Sequence, residues 1–275
     1  MLTKSNYELL DQKSKIIRKY VIQMTYKAQS GHPGGSFSLA HIMAALYFHV
    51  LKYDPKNPDW IDRDRVILSK GHAAPIWYAT LAEAGFFSLD ELEGFRKIDC
   101  LLQGHPCMHI PGVDITTGSL GLGLSAGCGI ALGAKLTKRE HIRVYTILGD
   151  GELGEGQIWE AAMAASHFKL NNLIAILDKN KYQNDGATIE ILNLEPLFNK
   201  WISFGWQVLE IDGHNLNQII DAFDLARETK NKPTMIIANT VKGNGASYML
   251  DKPELHYSPP TKEQVDLTLK ELGFL

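Results

Sequence analysis

Over residues 5–29, apolar positions recur at helical spacing (Leu9, Ile16, Ile17, Tyr20, Val21, Met24) and the pattern stops at Gly31, which predicts a long amphipathic helix. A glycine-rich loop, Gly31-His32-Pro33-Gly34-Gly35, leads into a second helix over 38–50. Residues 66–68 form a short apolar strand, followed by Ser69-Lys70-Gly71-His72 and an alanine-rich helix. The stretch 98–118 carries prolines and glycines and no periodicity, the pattern of a long functional loop. Residues 121–134 read as a helix dense in small side chains (Gly123, Ser125, Ala126, Gly127, Cys128, Gly129, Ala131, Gly133), able to approach another backbone closely. From there the period alternates. Strands are expected at 142–148, 173–177, 206–211 and 234–238, and helices at 155–168, 194–204 and 215–227.

The strands are almost continuous apolar runs, as expected where helices cover both faces of a sheet. Strand–helix alternation of this kind predicts an α/β fold with a doubly wound, mostly parallel sheet. Ligands in such folds sit beyond the carboxyl ends of the strands. The 242–260 stretch is irregular, and 262–275 is an amphipathic segment.

Composition changes this picture little. The chain of 275 residues is 45% hydrophobic and 21% charged, ordinary for a protein that buries a core. A net charge of −3 supplies no electrostatic reason to expect nucleic acid or a membrane surface as partner. Three cysteines, Cys100, Cys107 and Cys128, have no CxxC spacing, which favours a reduced, cytoplasmic chain. No signal-peptide pattern and no run of membrane-spanning length is expected.

The chemistry concentrates at two strand ends. Gly149-Asp150-Gly151 follows the 142–148 run, and Asn180 follows the 173–177 run. A carboxylate and an amide oxygen at one sheet edge suit a hard cation that also binds a diphosphate. Flanking glycines let backbone approach the phosphates, and the helix beginning near Glu155 offers its N-terminus to the anion. Four histidines follow glycine: His32, His72, His105 and His214. The first three stand in loops with no packing role and suit proton transfer and hydroxyl binding near neutral pH. His214 lies in a strand-to-helix turn with Asn215 as N-cap, so its role reads as structural. Zinc is the competing reading of the histidines, but no pair shares a helix face and no Cys/His cluster occurs. Glu155 and Glu160 open a helix, where the dipole alone accounts for acids, and Asp178 and Asp185 also suit turn formation.

Together these residues resemble the N-terminal, diphosphate-binding domain of transketolase, over almost the whole chain. The resemblance rests on Ser30-Gly31-His32-Pro33-Gly34-Gly35, Ser69-Lys70-Gly71-His72-Ala73, Gly104-His105-Pro106 and the run from Pro111 to Gly121 with Thr116-Thr117-Gly118-Ser119-Leu120. It continues through Gly149-Asp150-Gly151-Glu152, Glu155-Gly156-Gln157-Ile158-Trp159-Glu160, Asp178-Lys179-Asn180, Asp185-Gly186 and Val241-Lys242-Gly243. It implies a single domain over 1–275 with the thiamine diphosphate-binding fold of the diphosphate-binding type, and thiamine diphosphate with Mg²⁺ (Ca²⁺ as the alternative) as cofactors. The cation would be held by Asp150, Asn180 and the backbone carbonyl of Tyr182. The remaining cofactor contacts would come from His72, Gly118, Ser119, Leu120, Gly149, Gly151, Glu152, Lys242 and His256. His32, His105 and His256 would face the substrate, binding its hydroxyls and moving protons, while His72 would contact the diphosphate; these four with Glu155 are the expected catalytic residues, and Glu155, with Glu160, would link active sites across a subunit contact.

The same resemblance implies transfer of a two-carbon ketol unit from a ketose phosphate to an aldose phosphate. A full transketolase is far longer, and the absent portion carries the pyrimidine-binding domain with the glutamate that activates the cofactor. General acid–base help of that type contributes roughly 10²–10⁴ in rate. The chain is therefore expected to be the N-terminal half of a split transketolase, joined in a heterotetramer with a C-terminal subunit and inactive without it. The finish after the amphipathic 262–275 segment is what a natural subunit would show. The rivals are a deoxyxylulose-phosphate synthase-like enzyme, a transketolase-like subunit for a branched or sulfonated sugar, and a non-catalytic regulatory subunit. Two departures from the family pattern stand out. Cys107-Met108-His109 replaces the usual acidic or polar residue after Gly-His-Pro, which bears on sugar preference, and Asn184 replaces a usually apolar residue.

Overall fold

A computed structural model describes residues 2–184 and 186–275; Asp185, read above as a turn former, lies outside the described residues. The helical repeat of the N-terminus becomes α1 (Lys4–Ala28), capped by Thr3, whose side chain accepts from Asn6 N. The Gly-His-Pro-Gly-Gly segment is not all loop. Pro33 starts a short helix, α2 (Pro33–Phe37), because its ring presets φ at the first helical position and its missing N–H has no helical partner there. The next helix is shorter than the sequence expects: α3 (Ala40–Ala45) passes into a π turn at Leu46–Val50. Then follow β1 (Arg65–Leu68), α4 (Ala74–Glu83), α5 (Leu122–Leu136), β2 (Val144–Gly149), α6 (Gly156–His167) and β3 (Leu173–Lys179).

A two-stranded hairpin of β4 (Tyr182–Gln183) and β5 (Gly186–Ala187) follows; runs this short carry no legible period. The chain continues through α7 (Thr188–Ile191), α8 (Leu197–Ser203), β6 (Gln207–Asp212), α9 (Leu216–Glu228), β7 (Thr234–Asn239) and α10 (Lys262–Glu271). Asn215 caps α9 as expected, accepting from Asn217 N and Gln218 N. Helix α8 starts later than the expected 194 because Pro196 stands at its N-cap.

The sheet is parallel, with strand order β1-β2-β3-β7-β6. Alternate residues of its strands enter two cores. Tyr145, Ile147, Ile174, Ile176 and Ile236 pack with α1, α3, α4 and α9 on one face. Val144, Leu148, Leu173, Ala175, Leu177 and Ile237 pack with α5, α6 and α8 on the other. This is the doubly wound arrangement expected from the near-continuous apolar runs. The small residues of α5 divide by face. A Cβ on Gly123 would stand 2.4 Å from Ser69 Cβ, and one on Gly127 2.4 Å from Thr146 Oγ1, whereas those on Gly129 and Gly133 would meet nothing within 4 Å. Half of the small face thus seats α5 on the sheet and half is left open. Among the described residues no helix is long and apolar enough to cross a membrane.

Candidate functional site

Because every strand of the main sheet runs the same way, the loops after β1, β2, β3 and β7 open at one edge, onto a cleft of about 710 Å³. Strand β2 delivers Asp150 there, and β3 delivers Asn180; both are buried. Asp150 Oδ1 accepts from Gly151 N (2.9 Å) and Oδ2 from Lys181 N (2.5 Å), which ties the two loops together. Asn180 Oδ1 accepts from Tyr182 N at 3.1 Å, and its Nδ2 donates to Asp178 Oδ2 at 3.1 Å. Asp150, Asn180 and Tyr182 therefore all line one cleft. Burial, then the Asp178 charge, push the Asp150 carboxyl up to about 7.

Asp178 is not a turn former. It ends β3 fully buried, paired with Lys70 from the end of β1 and accepting from Ser38 Oγ (2.7 Å) and Thr240 Oγ1. Burial alone would raise its carboxyl, but Lys70 and the converging hydroxyls hold it below the usual range. The only signal for this pair in the sequence is a lysine two residues after an apolar strand.

Three of the histidines converge. The ring centroids of His32 and His72 are 5.0 Å apart, those of His32 and His256 5.2 Å, and those of His72 and His256 5.6 Å. Lys242 Nζ lies 2.9 Å from His256 Nδ1. His105 lines the same cleft, its Cδ2 3.4 Å from where a Cβ on Gly118 would stand. His32 Nδ1 is buried and has no hydrogen-bond partner among the described residues, the state of a group that awaits a ligand. Burial, then the nearby Lys70, pushes Lys242 down to about 8. His214 keeps its structural role: its Nε2 accepts from Val241 N at 2.9 Å and its Nδ1 lies 3.0 Å from Asn244 Nδ2.

The remaining expected residues take different positions. Gly118, Leu120, Gly149, Gly151, Tyr182 and Glu155 line the cleft, and Ser119 is exposed beside Gly118. A Cβ on Gly151 would stand 2.4 Å from Gln183 Cβ, so only glycine fits where the backbone faces the cleft. A 3₁₀ turn (Gly151–Gly154) precedes α6, so Glu155 is the N-cap residue rather than part of the first turn. Glu160 is exposed on α6. Glu152 also borders the cleft, but its buried carboxylate is spent on Ser69 Oγ, Gly121 N (2.8 Å) and Gly149 N (3.1 Å). A cluster beside the cleft has no counterpart in the sequence reading: Arg96 donates to Ser30 Oγ (2.8 Å) and Tyr257 Oη (3.2 Å), and the Tyr257 ring lies tilted at 55° to His32 with centroids 4.8 Å apart. Its members lie far apart in the chain and share no motif. Cys107 is half-buried, its Sγ 3.7 Å from His105 O, and Met108 is 62% exposed at the same rim.

Acid sensitivity follows from the buried imidazoles. Burial holds His32 down to about 3, reinforced by His256 and Arg96; it holds His72 and His41 down to about 2, reinforced by Lys70 and Arg18 respectively. The unfolded chain protonates histidine near 6.5, while the folded chain refuses the proton. Stability is therefore complete above about pH 6.5 and falls as pH drops below it, by about 1.4 kcal/mol per pH unit for each histidine fully titrating. The thermal midpoint by circular dichroism is expected to be lower at pH 5.5 than at pH 7.5. Equal midpoints would show that these rings accept protons in the folded state.

An α/β fold with an oxygen-donor pair and converging histidines beyond its strand ends defines a diphosphate-binding enzyme domain. The chain belongs to the transketolase family, matching its thiamine diphosphate binding domain over residues 11–275. It is 46% identical over 266 residues to the 6-deoxy-6-sulfo-D-fructose transketolase subunit SqwG of a Clostridium species, covering 96% of each chain. It is 40% identical over 266 residues to an apulose-4-phosphate transketolase subunit of Phocaeicola vulgatus, covering 97% of this chain and 94% of that one. The crystal structure of Campylobacter jejuni transketolase superposes with a TM-score of 0.93 at 35% identity, over 97% of this chain but 43% of that one. The chain thus spans less than half the length of the solved transketolases it matches.

The residues present fit thiamine diphosphate and its cation. An oxygen-only donor set suits Mg²⁺ or Ca²⁺, the Gly151 turn leaves room for backbone alone, and the orphaned His32 nitrogen stands in the same cleft. Among the described residues no three His, Cys, Asp or Glu side chains group as a metal site.

Proposed function

We propose that the chain is the N-terminal subunit of a split, Mg²⁺-dependent transketolase, one domain over 1–275, which moves a two-carbon ketol unit from a ketose phosphate to an aldose phosphate. The observation that carries this reading is the meeting of Asp150 and Asn180 with His32, His72 and His256 in one cleft. Asp150, Asn180 and the Tyr182 carbonyl hold the cation. His72 and the backbone at Gly149 and Gly151 take the diphosphate, with Glu152 bracing that turn. Gly118, Ser119 and Leu120 border the aminopyrimidine. When bound, thiamine diphosphate supplies the electron sink for carbon–carbon cleavage. His32, His105 and His256 bind substrate hydroxyls and move protons at their ring nitrogens. His32, His72 and His105 are all held below the usual histidine range, so at neutral pH each is an uncharged ring able to accept one hydrogen bond and donate another. Lys242 steadies His256 through its 2.9 Å contact.

The partner is a C-terminal, pyrimidine-binding subunit, and the two form a heterotetramer in the cytoplasm, with Glu155 and Glu160 at the contact between sites. Both glutamates are exposed, and the cysteines are free, in keeping with a reducing compartment. A more specialised sugar is the second reading. It is favoured by the Cys107–Met108 rim and by relatives named as apulose-4-phosphate and 6-deoxy-6-sulfo-D-fructose transketolase subunits. Ketol transfer is to be assayed with the chain alone and mixed with its candidate C-terminal subunit, with thiamine diphosphate and Mg²⁺. Donors are xylulose 5-phosphate, apulose 4-phosphate and 6-deoxy-6-sulfofructose. Activity is expected only in the mixture, and the preferred donor decides between the two readings. Activity from the chain alone would remove the need for a partner. Silence with every donor would leave a non-catalytic, cofactor-binding subunit.

A further inference from the structure

The floor of the cleft is built on a single buried ion pair. Asp178 is 0% exposed and Lys70 2%. Four donors from four segments converge on the Asp178 carboxylate: Lys70 Nζ after β1, Ser38 Oγ after α2, Thr240 Oγ1 after β7, and Asn180 Nδ2 after β3. Lys70 Nζ also donates to Gly35 O at 3.0 Å, in the segment that carries His32. An ionised carboxylate only accepts, and a carboxamide has one donating and one accepting end. Asp178 therefore admits the Asn180 side chain in one orientation alone, with Nδ2 inward and Oδ1 on the opposite side, where Tyr182 N stands at 3.1 Å. The Tyr182 N–H favours the same orientation from the other side, so the Asp178 carboxylate and that main-chain donor together distinguish the two ends of the amide.

We infer that Asp178, anchored by Lys70, is a positioning residue that fixes the Asn180 amide with its oxygen toward the cation site. This rests on the reading of Asn180 as a cation ligand. Partners that orient a metal ligand in this way typically contribute 10–100-fold to metal affinity (order of magnitude). Lys70 Nζ holds the carboxylate in place and, through Gly35 O at 3.0 Å, ties it to the segment that carries His32. Thr240 Oγ1 limits rotation of the carboxylate.

The test is calorimetric titration of Mg²⁺ into the full chain in saturating thiamine diphosphate, with no assay of turnover. The double variant Lys70→Met/Asp178→Asn removes both charges together and leaves no unpaired ion in the core. It is expected to weaken Mg²⁺ binding on the order of 10–100-fold. Thr240→Val keeps shape and both charges, and it is expected to weaken binding a few-fold; it carries the test if the double variant does not fold. A purely structural role would lower the thermal midpoint and leave the Mg²⁺ affinity of the folded chain unchanged, and that result would overturn the inference. Asn180→Ala separates the two layers of argument. If it binds Mg²⁺ like the unaltered chain, Asn180 is no ligand and both readings fall. If Asn180→Ala loses affinity while the Asp178 and Thr240 variants keep it, only the positioning role falls.

Discussion

Asp150→Asn is expected to leave the chain folded and to weaken Mg²⁺-dependent binding of thiamine diphosphate strongly. The carboxylate is the one anionic member of the proposed ligand set that faces the cleft directly, and it is buried. Removing one partner of a buried charge pair costs about 2–5 kcal/mol, which corresponds to roughly 30- to 5,000-fold in affinity. Stability is expected to change much less. An asparagine oxygen can still accept from Gly151 N or Lys181 N, the two donors that Asp150 holds. The metal-free chain also sheds a carboxylate that burial and Asp178 disfavour. Far-ultraviolet circular dichroism checks the fold, and calorimetry with Mg²⁺ and thiamine diphosphate checks binding. A variant that binds as the unaltered chain does would move the cation site elsewhere.

Glu152→Ala has the opposite profile: a large loss of stability, with ligand binding affected only through the turn that it braces. Its carboxylate joins the end of β1 (Ser69), the start of α5 (Gly121 N) and the end of β2 (Gly149 N). Alanine strands three buried donors, each costing about 1–3 kcal/mol. Part of this is offset, because burial raises the Glu152 carboxyl above its ordinary range and its removal relieves that strain. A net destabilisation on the order of 3 kcal/mol is expected in urea unfolding. Glu152→Gln, which keeps one acceptor, should lose less. An unchanged urea midpoint for the alanine variant would mean that these three donors find water, and Glu152 would then be free to contact the cofactor.

These two acids show how far the sequence is legible. Asp150 and Glu152 stand in one Gly-Asp-Gly-Glu motif, and the motif assigns both to the cofactor. Asp150 opens toward the cleft from the strand end, while Glu152 turns back under the helix entry to satisfy backbone N–H groups at Gly121 and Gly149. Asp178 and Asn180 differ in the same way. Both suit a strand-end turn, but only packing shows that Asp178 is a buried anion held by a lysine 108 positions earlier. Among the histidines, position in a glycine turn does not separate His214, which accepts a main-chain N–H at Val241, from His32 and His72, whose rings meet across the cleft.

The sequence by itself determined the alternation of strands and helices, the doubly wound class, and the strand ends that carry Asp150 and Asn180. Those properties are local, because hydrophobic period and glycine punctuation act over a few residues. The tertiary structure alone decided which charges are consumed inside the protein, as Lys70 with Asp178 and Glu152 with Ser69, and which are left facing the cleft. It also decided that Arg96 joins Ser30 to Tyr257 beside the cleft and that His256 comes to stand beside His32. Such pairings depend on how segments far apart in the chain pack on one sheet edge, where burial makes an unmatched polar group too costly to leave alone.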